Sequence, residues 1–224
     1  MFGQRTKFRS VMEEALNNQA NQPRSQDLSA SERASAATTA QLPMLLLASS
    51  SPRRSEILRM IGWPFQVGAV EVDESLHDDE TPRAYVERLA AAKAAAAAEV
   101  HSHRPILAAD TTVVVDEHIL AKPSNVEDAK RMLRMLEGRW HQVLTGIALI
   151  YSSETRIDCE TTEVKFAAMT EVEIDWYVST GEPMDKAGAY AVQGRGARFI
   201  EAVKGDYFNV MGLPVRLLYE LIRR

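Results

Sequence analysis

From Pro43 onward, short apolar runs alternate with segments whose apolar residues recur every three or four positions, the pattern of strands interleaved with amphipathic helices. Met44–Ala48 reads as a short buried strand. Ser51-Pro52 then gives a helix start, with Ile57, Leu58 and Ile61 on one face and Gly62 as the stop. Phe65–Val72 predicts a second strand. Thr81-Pro82 opens a long helix to about Val100, striped by Tyr85, Leu89, Ala92 and Ala96. Ile106–Ala109 and Val113–Val115 read as two further strands, and Asn125 caps a helix built on Val126, Ala129, Leu133 and Leu136. Trp140–Tyr151 and Arg156–Ala168 predict a hairpin across the polar Ser152–Glu154 turn. Thr170 and Glu173 have the spacing of a capping box, Ala197–Val203 reads as a strand, and Pro214–Ile222 closes the chain as a helix. Hairpins and helical crossovers together predict an α/β chain with a mixed sheet.

Residues 1–42 break this pattern. They are rich in Gln, Asn, Ser, Ala and Thr, lack apolar periodicity after Leu16, and read as a disordered extension ahead of a folded domain at 43–224. No continuous apolar core marks them as a secretion signal. Arg5, Lys7 and Arg9 suit an organellar presequence, but Glu13, Glu14, Asp27 and Glu32 do not.

Charge and cysteine content narrow the function. With 26 Lys and Arg against 31 Asp and Glu, the net charge of −5 disfavours a nucleic-acid partner. No apolar run approaches the roughly 18 residues of a membrane span. One cysteine, Cys159, allows neither an internal disulfide nor a cysteine-based metal cage, which fits a reducing, cytoplasmic location. The five histidines show no helical His-x-x-x-His pair, so a zinc site is not expected.

Several segments carry candidate chemistry. Ser49-Ser50-Ser51-Pro52-Arg53-Arg54 lies where a strand hands over to a helix, and there hydroxyls, guanidiniums and free amides suit a phosphate chain. The same residues also read as a serine cap with two solvated arginines. Asp110 follows an apolar strand, suited to holding a divalent cation or polarising a water, or serving as an ordinary turn aspartate. Glu71, Asp73, Glu74, Asp78, Asp79 and Glu80 form an acidic stretch that suits Mg²⁺ or Mn²⁺, or plain solvated surface. Lys93 stands alone among eight alanines, placed either to reach into a cleft or to keep its helix soluble. Lys122-Pro123 follows strand-like residues. Between Asp185 and Gly196, three glycines permit close backbone approach to a ligand, and Gln193 can donate to and accept from a base edge. A flexible loop is the other reading of that segment. Gly205–Pro214 reads mainly as core.

Taken in order, these segments resemble the Maf-like nucleoside triphosphate pyrophosphatases. The resemblance rests on Ser-x-Ser-Pro-Arg-Arg at 49–54, Ala-Asp-Thr at 109–111, Lys-Pro at 122–123, Thr-Gly at 145–146, Asp-Lys-Ala-Gly-Ala-Tyr at 185–190 and Gly-Asp-Tyr to Gly-Leu-Pro at 205–214. It covers about residues 44–223. It implies hydrolysis of a nucleoside triphosphate to monophosphate and pyrophosphate with a divalent cation, Mg²⁺ or Mn²⁺. The family's catalytic aspartate maps to Asp110, its acidic partner to Glu74 and its two lysines to Lys93 and Lys122. Asp110 and Glu74 would hold the metal, while Ser49, Arg53 and Arg54 would bind substrate.

Arg53, Thr111 and Gln193 are similar to the dTTP/UTP type within that family rather than the type acting on 7-methyl-GTP. The resemblance further implies an inosine triphosphate pyrophosphatase-like architecture, an elongated mixed sheet flanked by helices with two lobes around a central cleft, commonly as a homodimer. Other readings are a pyrophosphatase for 7-methyl-GTP or other modified purine nucleotides, and a nucleotide-binding regulator of septum formation. The compact members of the family generally lack an extension like residues 1–42.

Overall fold

The computed structural model describes residues 42–101 and 104–224, so the expected N-terminal extension, but for Leu42, lies outside the described residues. Strands β1 (Leu45–Leu47), β2 (Phe65–Val67), β3 (Ile106–Val115), β4 (His118–Leu120), β5 (Trp140–Tyr151), β6 (Glu154–Phe166) and β7 (Ile200–Lys204) form one mixed sheet. Its order is β2-β1-β3-β5-β6-β7, parallel at β1–β2 and β1–β3 and antiparallel elsewhere. The helices are α1 (Pro52–Met60), α2 (Pro82–Val100), α3 (Val126–Leu136), α4 (Glu171–Ser179), α5 (Tyr207–Met211) and α6 (Val215–Arg223). Pro43–Arg224 forms one compact unit, and the expected mixed sheet with flanking helices is what it contains.

Local chemistry explains most boundaries. Thr81 Oγ1 accepts from the Ala84 amide at the start of α2, and Asn125 Oδ1 accepts from the Asp128 amide at the start of α3. Thr170 and Glu173 close a full capping box on α4. The β5–β6 hairpin turns on Ser152 and Ser153, both with positive φ, as a two-residue hairpin needs.

The structure revises several expectations. The second strand stops at Val67, and β6 runs Glu154–Phe166 rather than Arg156–Ala168. The strand expected over Ala197–Val203 starts at Ile200, after a 3₁₀ turn at Arg195–Phe199. Ser51 occupies the N-cap of α1 without a side-chain cap; Ser49 Oγ instead accepts the Ser51 amide at 3.2 Å. The two strands expected around Asp110 are one ten-residue strand, so Asp110 sits in mid-strand and not at a loop. Pairing with β5 along Ile106–Val114 holds this strand straight through its polar centre.

That continuous strand creates the cleft. One edge of β3 is filled by β5. On the opposite edge β1 pairs only with Ile106 and Leu107, and β4 only with Val113–Val115. Residues 108–112 therefore face a gap in the sheet, just beyond the carboxyl end of β1, the position where open α/β sheets take ligands. Side chains alternate across the gap. Ala108 packs with Ala90, Ala94 and Ala97 of α2 on one face, while Val113 joins Leu133, Phe166 and Tyr177 on the other.

Candidate active site

The gap opens into a cavity of about 510 Å³, a size typical of small-ligand sites. All nine residues singled out from the sequence line it: Ser49, Arg53, Arg54, Glu74, Lys93, Asp110, Thr111, Lys122 and Gln193. Five cationic side chains line it against three carboxylates, so a positive cleft sits in a chain of net charge −5.

Lys93 is the centre of the acidic side. It extends from α2, buried, and its Nζ lies 2.6 Å from Asp110 Oδ1 and 2.6 Å from Glu74 Oε1. Small alanines around it on α2 leave room for this reach, so the isolated charge in that helix is turned inward. Glu74 is held from behind, since Tyr85 Oη donates to its carbonyl at 2.9 Å. Partial burial opposes Glu74 ionisation, but Lys93 outweighs it and, with Lys122 and Arg54, holds the carboxyl below its ordinary range. Burial beside Asp110 and Glu74 pushes the Tyr85 hydroxyl up to about 12.

The other acids of that stretch do different work. Glu80 receives a bidentate Arg88 guanidinium at 2.6 and 2.7 Å, and Asp73 accepts from the amide and hydroxyl of Ser75. Neither they nor Glu71, Asp78 and Asp79 line the cavity. Arg88 thus ties the loop down and leaves Glu74 as its one contribution to the cleft.

Arg54 anchors the opposite side. Its Nε donates to the Gly212 carbonyl at 2.8 Å, Nη1 to Ser49 Oγ at 2.9 Å and Nη2 to Thr111 Oγ1 at 3.1 Å. Burial lowers its pKa, an effect that Asp110 opposes. Thr111 Oγ1 also shares a hydrogen bond with Thr145 Oγ1 at 3.0 Å, and Thr145 donates to the Asn209 carbonyl. Asn209 Nδ2 in turn donates to the Val143 carbonyl and Thr162 Oγ1. A hydrogen-bonded chain therefore runs from Ser49 at the cleft to Thr162 on β6. Arg53 points differently, with Nη1 on Asp185 Oδ2 at 2.9 Å and Nη2 on the Asp185 carbonyl. Lys122 makes no ion pair among the described residues.

Residues Pro43 to the C-terminus thus present a cationic cleft at a sheet gap, and the same span is the one that known sequences recognise. The model of the Maf-like protein family matches residues 44–224. The chain belongs to the Maf-like family. The dTTP/UTP pyrophosphatase of Symbiobacterium thermophilum is 49% identical over 181 residues, which are 81% of this chain and 93% of that protein. Those of Bacillus mycoides and Geobacillus sp. are 48% and 45% identical, over 79% and 82% of this chain and 93% and 98% of their own. Among solved structures, the Staphylococcus aureus Ham1 protein superposes with a TM-score of 0.47 at 16% identity, over 80% of this chain and 98% of its own, too distant to bear on fold or chemistry.

Within the Maf-like frame the structure also brings to the cleft residues of the 185–190 motif that the sequence reading gave no individual role. Asp185, Lys186 and Tyr190 line it. Tyr190 is buried against His141, its Oη 2.8 Å from Nε2, and both rings pack edge-on against Phe166. Asn209, expected as ordinary core, is fully buried as the hub between β5, β6 and α5. Its one sequence signal is that it is an amide in an otherwise apolar helix. The glycines at 194 and 196 approach protein groups and not the cavity, since a Cβ there would meet Glu182 Oε2 at 2.7 Å and Tyr177 Oη at 2.5 Å.

Among the described residues no three His, Cys, Asp or Glu side chains gather as a metal cluster, and no helix is long and apolar enough to cross a membrane. Two carboxylates do converge. Asp110 and Glu74 already share one cation, the Lys93 ammonium, and their hard oxygens are the kind of donor that a divalent ion prefers.

Proposed function

We propose that this protein hydrolyses pyrimidine nucleoside triphosphates, dTTP and UTP among them, to the monophosphate and pyrophosphate. The observation that carries the reading is the sharing of Lys93 between Asp110 and Glu74 inside a cleft whose other cations suit a triphosphate. The names of the 45–49% identical relatives support the same activity.

In this reading Arg54 and Ser49, fixed by their mutual hydrogen bond, present donors to the phosphates at the start of α1, where the helix dipole adds to them. Lys93 and Lys122 offset the charge that builds on the leaving pyrophosphate. Asp110 and Glu74 are the residues that would hold Mg²⁺ or Mn²⁺, and the ion supplies Lewis acidity toward phosphoryl oxygens. A water attacks the α-phosphorus, the bond from that phosphorus to the α–β bridging oxygen breaks, and a carboxylate of the pair takes the proton of the water. Lys93 keeps Glu74 ionised, the state in which a carboxylate can serve as an oxygen ligand to a cation. Gln193 reads the O4 and N3–H edge that uracil and thymine share.

The test is pyrophosphate release from UTP, dTTP, CTP, GTP and 7-methyl-GTP with Mg²⁺ or Mn²⁺. Preference for UTP and dTTP supports the reading, and preference for 7-methyl-GTP overturns its base assignment. Binding without turnover would instead favour a regulator, and Asp110→Asn should bind nucleotide yet lose turnover.

A further inference from the structure

Gln193 lines the cleft at the middle of a short irregular stretch, and its buried Oε1 has no hydrogen-bond partner among the described residues. A side chain that is to select one base edge needs a fixed backbone, because an amide that can swing will accept either a donor or an acceptor from its ligand. The backbone around Gln193 is pinned on both sides. On one side the Ala191 amide donates to Tyr177 Oη at 3.2 Å. On the other the Arg195 amide donates to Glu182 Oε2 at 3.0 Å and the Gly196 amide to Glu182 Oε1 at 2.9 Å. Tyr177 Oη donates to Glu182 Oε1 at 2.9 Å, joining the two anchors into one unit.

The clamp is built to be stiff. Tyr177 is fully buried in α4 and packs against Phe199. Burial opposes ionisation of Glu182, but the amides of Arg195 and Gly196 and the Tyr177 hydroxyl outweigh it and keep the carboxyl below its ordinary range. Gly194 adopts φ +90° with its missing Cβ 2.7 Å from Glu182 Oε2, so only glycine lets the chain pass the carboxylate. Neither Tyr177 nor Glu182 lines the cleft.

From this arrangement we infer that Glu182 and Tyr177 are positioning residues for base selection, acting on the nucleotide through the backbone of residues 191–196 and the Gln193 amide. The inference rests on the pyrimidine triphosphatase reading above. Glu182→Gln puts an NH₂ against amides that need an acceptor, and Tyr177→Phe removes the hydroxyl that joins the anchors.

The experiment is steady-state kinetics of the full chain with UTP and CTP, for wild type, Glu182→Gln, Tyr177→Phe, Gln193→Ala and the Glu182→Gln/Gln193→Ala double variant. In each clamp variant the UTP-over-CTP ratio of kcat/KM is expected to fall about tenfold or more, mainly through a raised KM for UTP, with kcat within about threefold. In the Gln193→Ala background Glu182→Gln should leave the remaining ratio unchanged. A lowered melting temperature with an unaltered ratio, or an effect that adds to that of Gln193→Ala, overturns the inference alone. A wild type without preference for UTP removes the base assignment and the inference together. Should Glu182→Gln fail to fold, Tyr177→Phe, which keeps the carboxylate and two of its three donors, decides by the same ratio.

Discussion

Lys93 and Asp110 meet where α2 packs on β3, Nζ to Oδ1 at 2.6 Å, and Glu74 shares the same ammonium from the other side. The three groups differ in what their loss leaves behind. Asp110→Asn leaves Lys93 paired with Glu74, so the fold should persist while turnover falls about a thousandfold. Lys93→Met leaves two carboxylates facing each other without a cation and should cost about 3 kcal/mol of stability. Thermal melts should therefore rank Lys93→Met below Asp110→Asn. They should also show Mg²⁺ raising the melting temperature of Lys93→Met more than that of wild type. The opposite ranking would remove Lys93 from the centre of the pair.

Arg54 joins three separate segments through three different nitrogens. Lysine carries one compact ammonium and cannot reproduce that fork. Arg54→Lys is expected to lose about 2–4 kcal/mol in urea denaturation, since the Gly212 carbonyl and the hydroxyls of Ser49 and Thr111 lose a charged donor. Unchanged stability would show that the three contacts are not held in solution.

His141 gives a pH signature. It is almost fully buried, its Nδ1 has no hydrogen-bond partner among the described residues, and burial lowers its pKa to about 4. The unfolded chain, with an ordinary histidine value of about 6.5, therefore binds the proton more readily below that pH. The stability this group contributes is complete above about pH 6.5 and is lost as pH falls toward 4, about 2 kcal/mol of it by pH 5. His141→Gln retains a partner for Tyr190 and should flatten that part of the curve. Denaturant midpoints at pH 7, 6 and 5 check it, and parallel curves for variant and wild type would refute it.

Gly146 lies on β5 where α2 crosses, and a Cβ there would come 2.4 Å from the Val86 carbonyl oxygen. Backbone offers no rotamer by which to yield. Gly146→Ala should destabilise the protein by about 1–3 kcal/mol and, by lifting α2 off the sheet, move Lys93 away from Asp110. Loss of both melting temperature and kcat is expected. Loss of neither would mean that helix and strand part without consequence.

Much of this could be read in the sequence because local chemistry and tertiary packing agree there. Thr81-Pro82, Asn125 and the Thr170–Glu173 box each carry their own capping group, and the helices begin where those groups put them. Lys93 was visible as a charge among alanines. The break predicted within β3 failed for a physical reason, since the Asp110-Thr111-Thr112 triplet looks like a loop until β5 is seen holding it extended. Choosing Glu74 from six neighbouring acids needed the family resemblance, because the contact that singles it out, the Lys93 ammonium reaching over from α2, comes from a residue far along the chain. Tyr177 and Glu182 stayed hidden because their hydrogen bonds go to backbone amides about fourteen residues away, and an amide donor has no residue type.

The sheet gap also sets how occupancy and rigidity are related. β1 and β4 are three residues each, and they share one edge of β3 with five unpaired positions between them. On the proposed reading, a triphosphate lodged there would be gripped by Ser49 beyond the end of β1 and by Lys122 just past β4, and would take the place of a missing rung. The substrate would then work as a keystone: the backbone amides of both short strands should exchange hydrogen more slowly when it is seated, and the release of two product fragments should unlock the arch again.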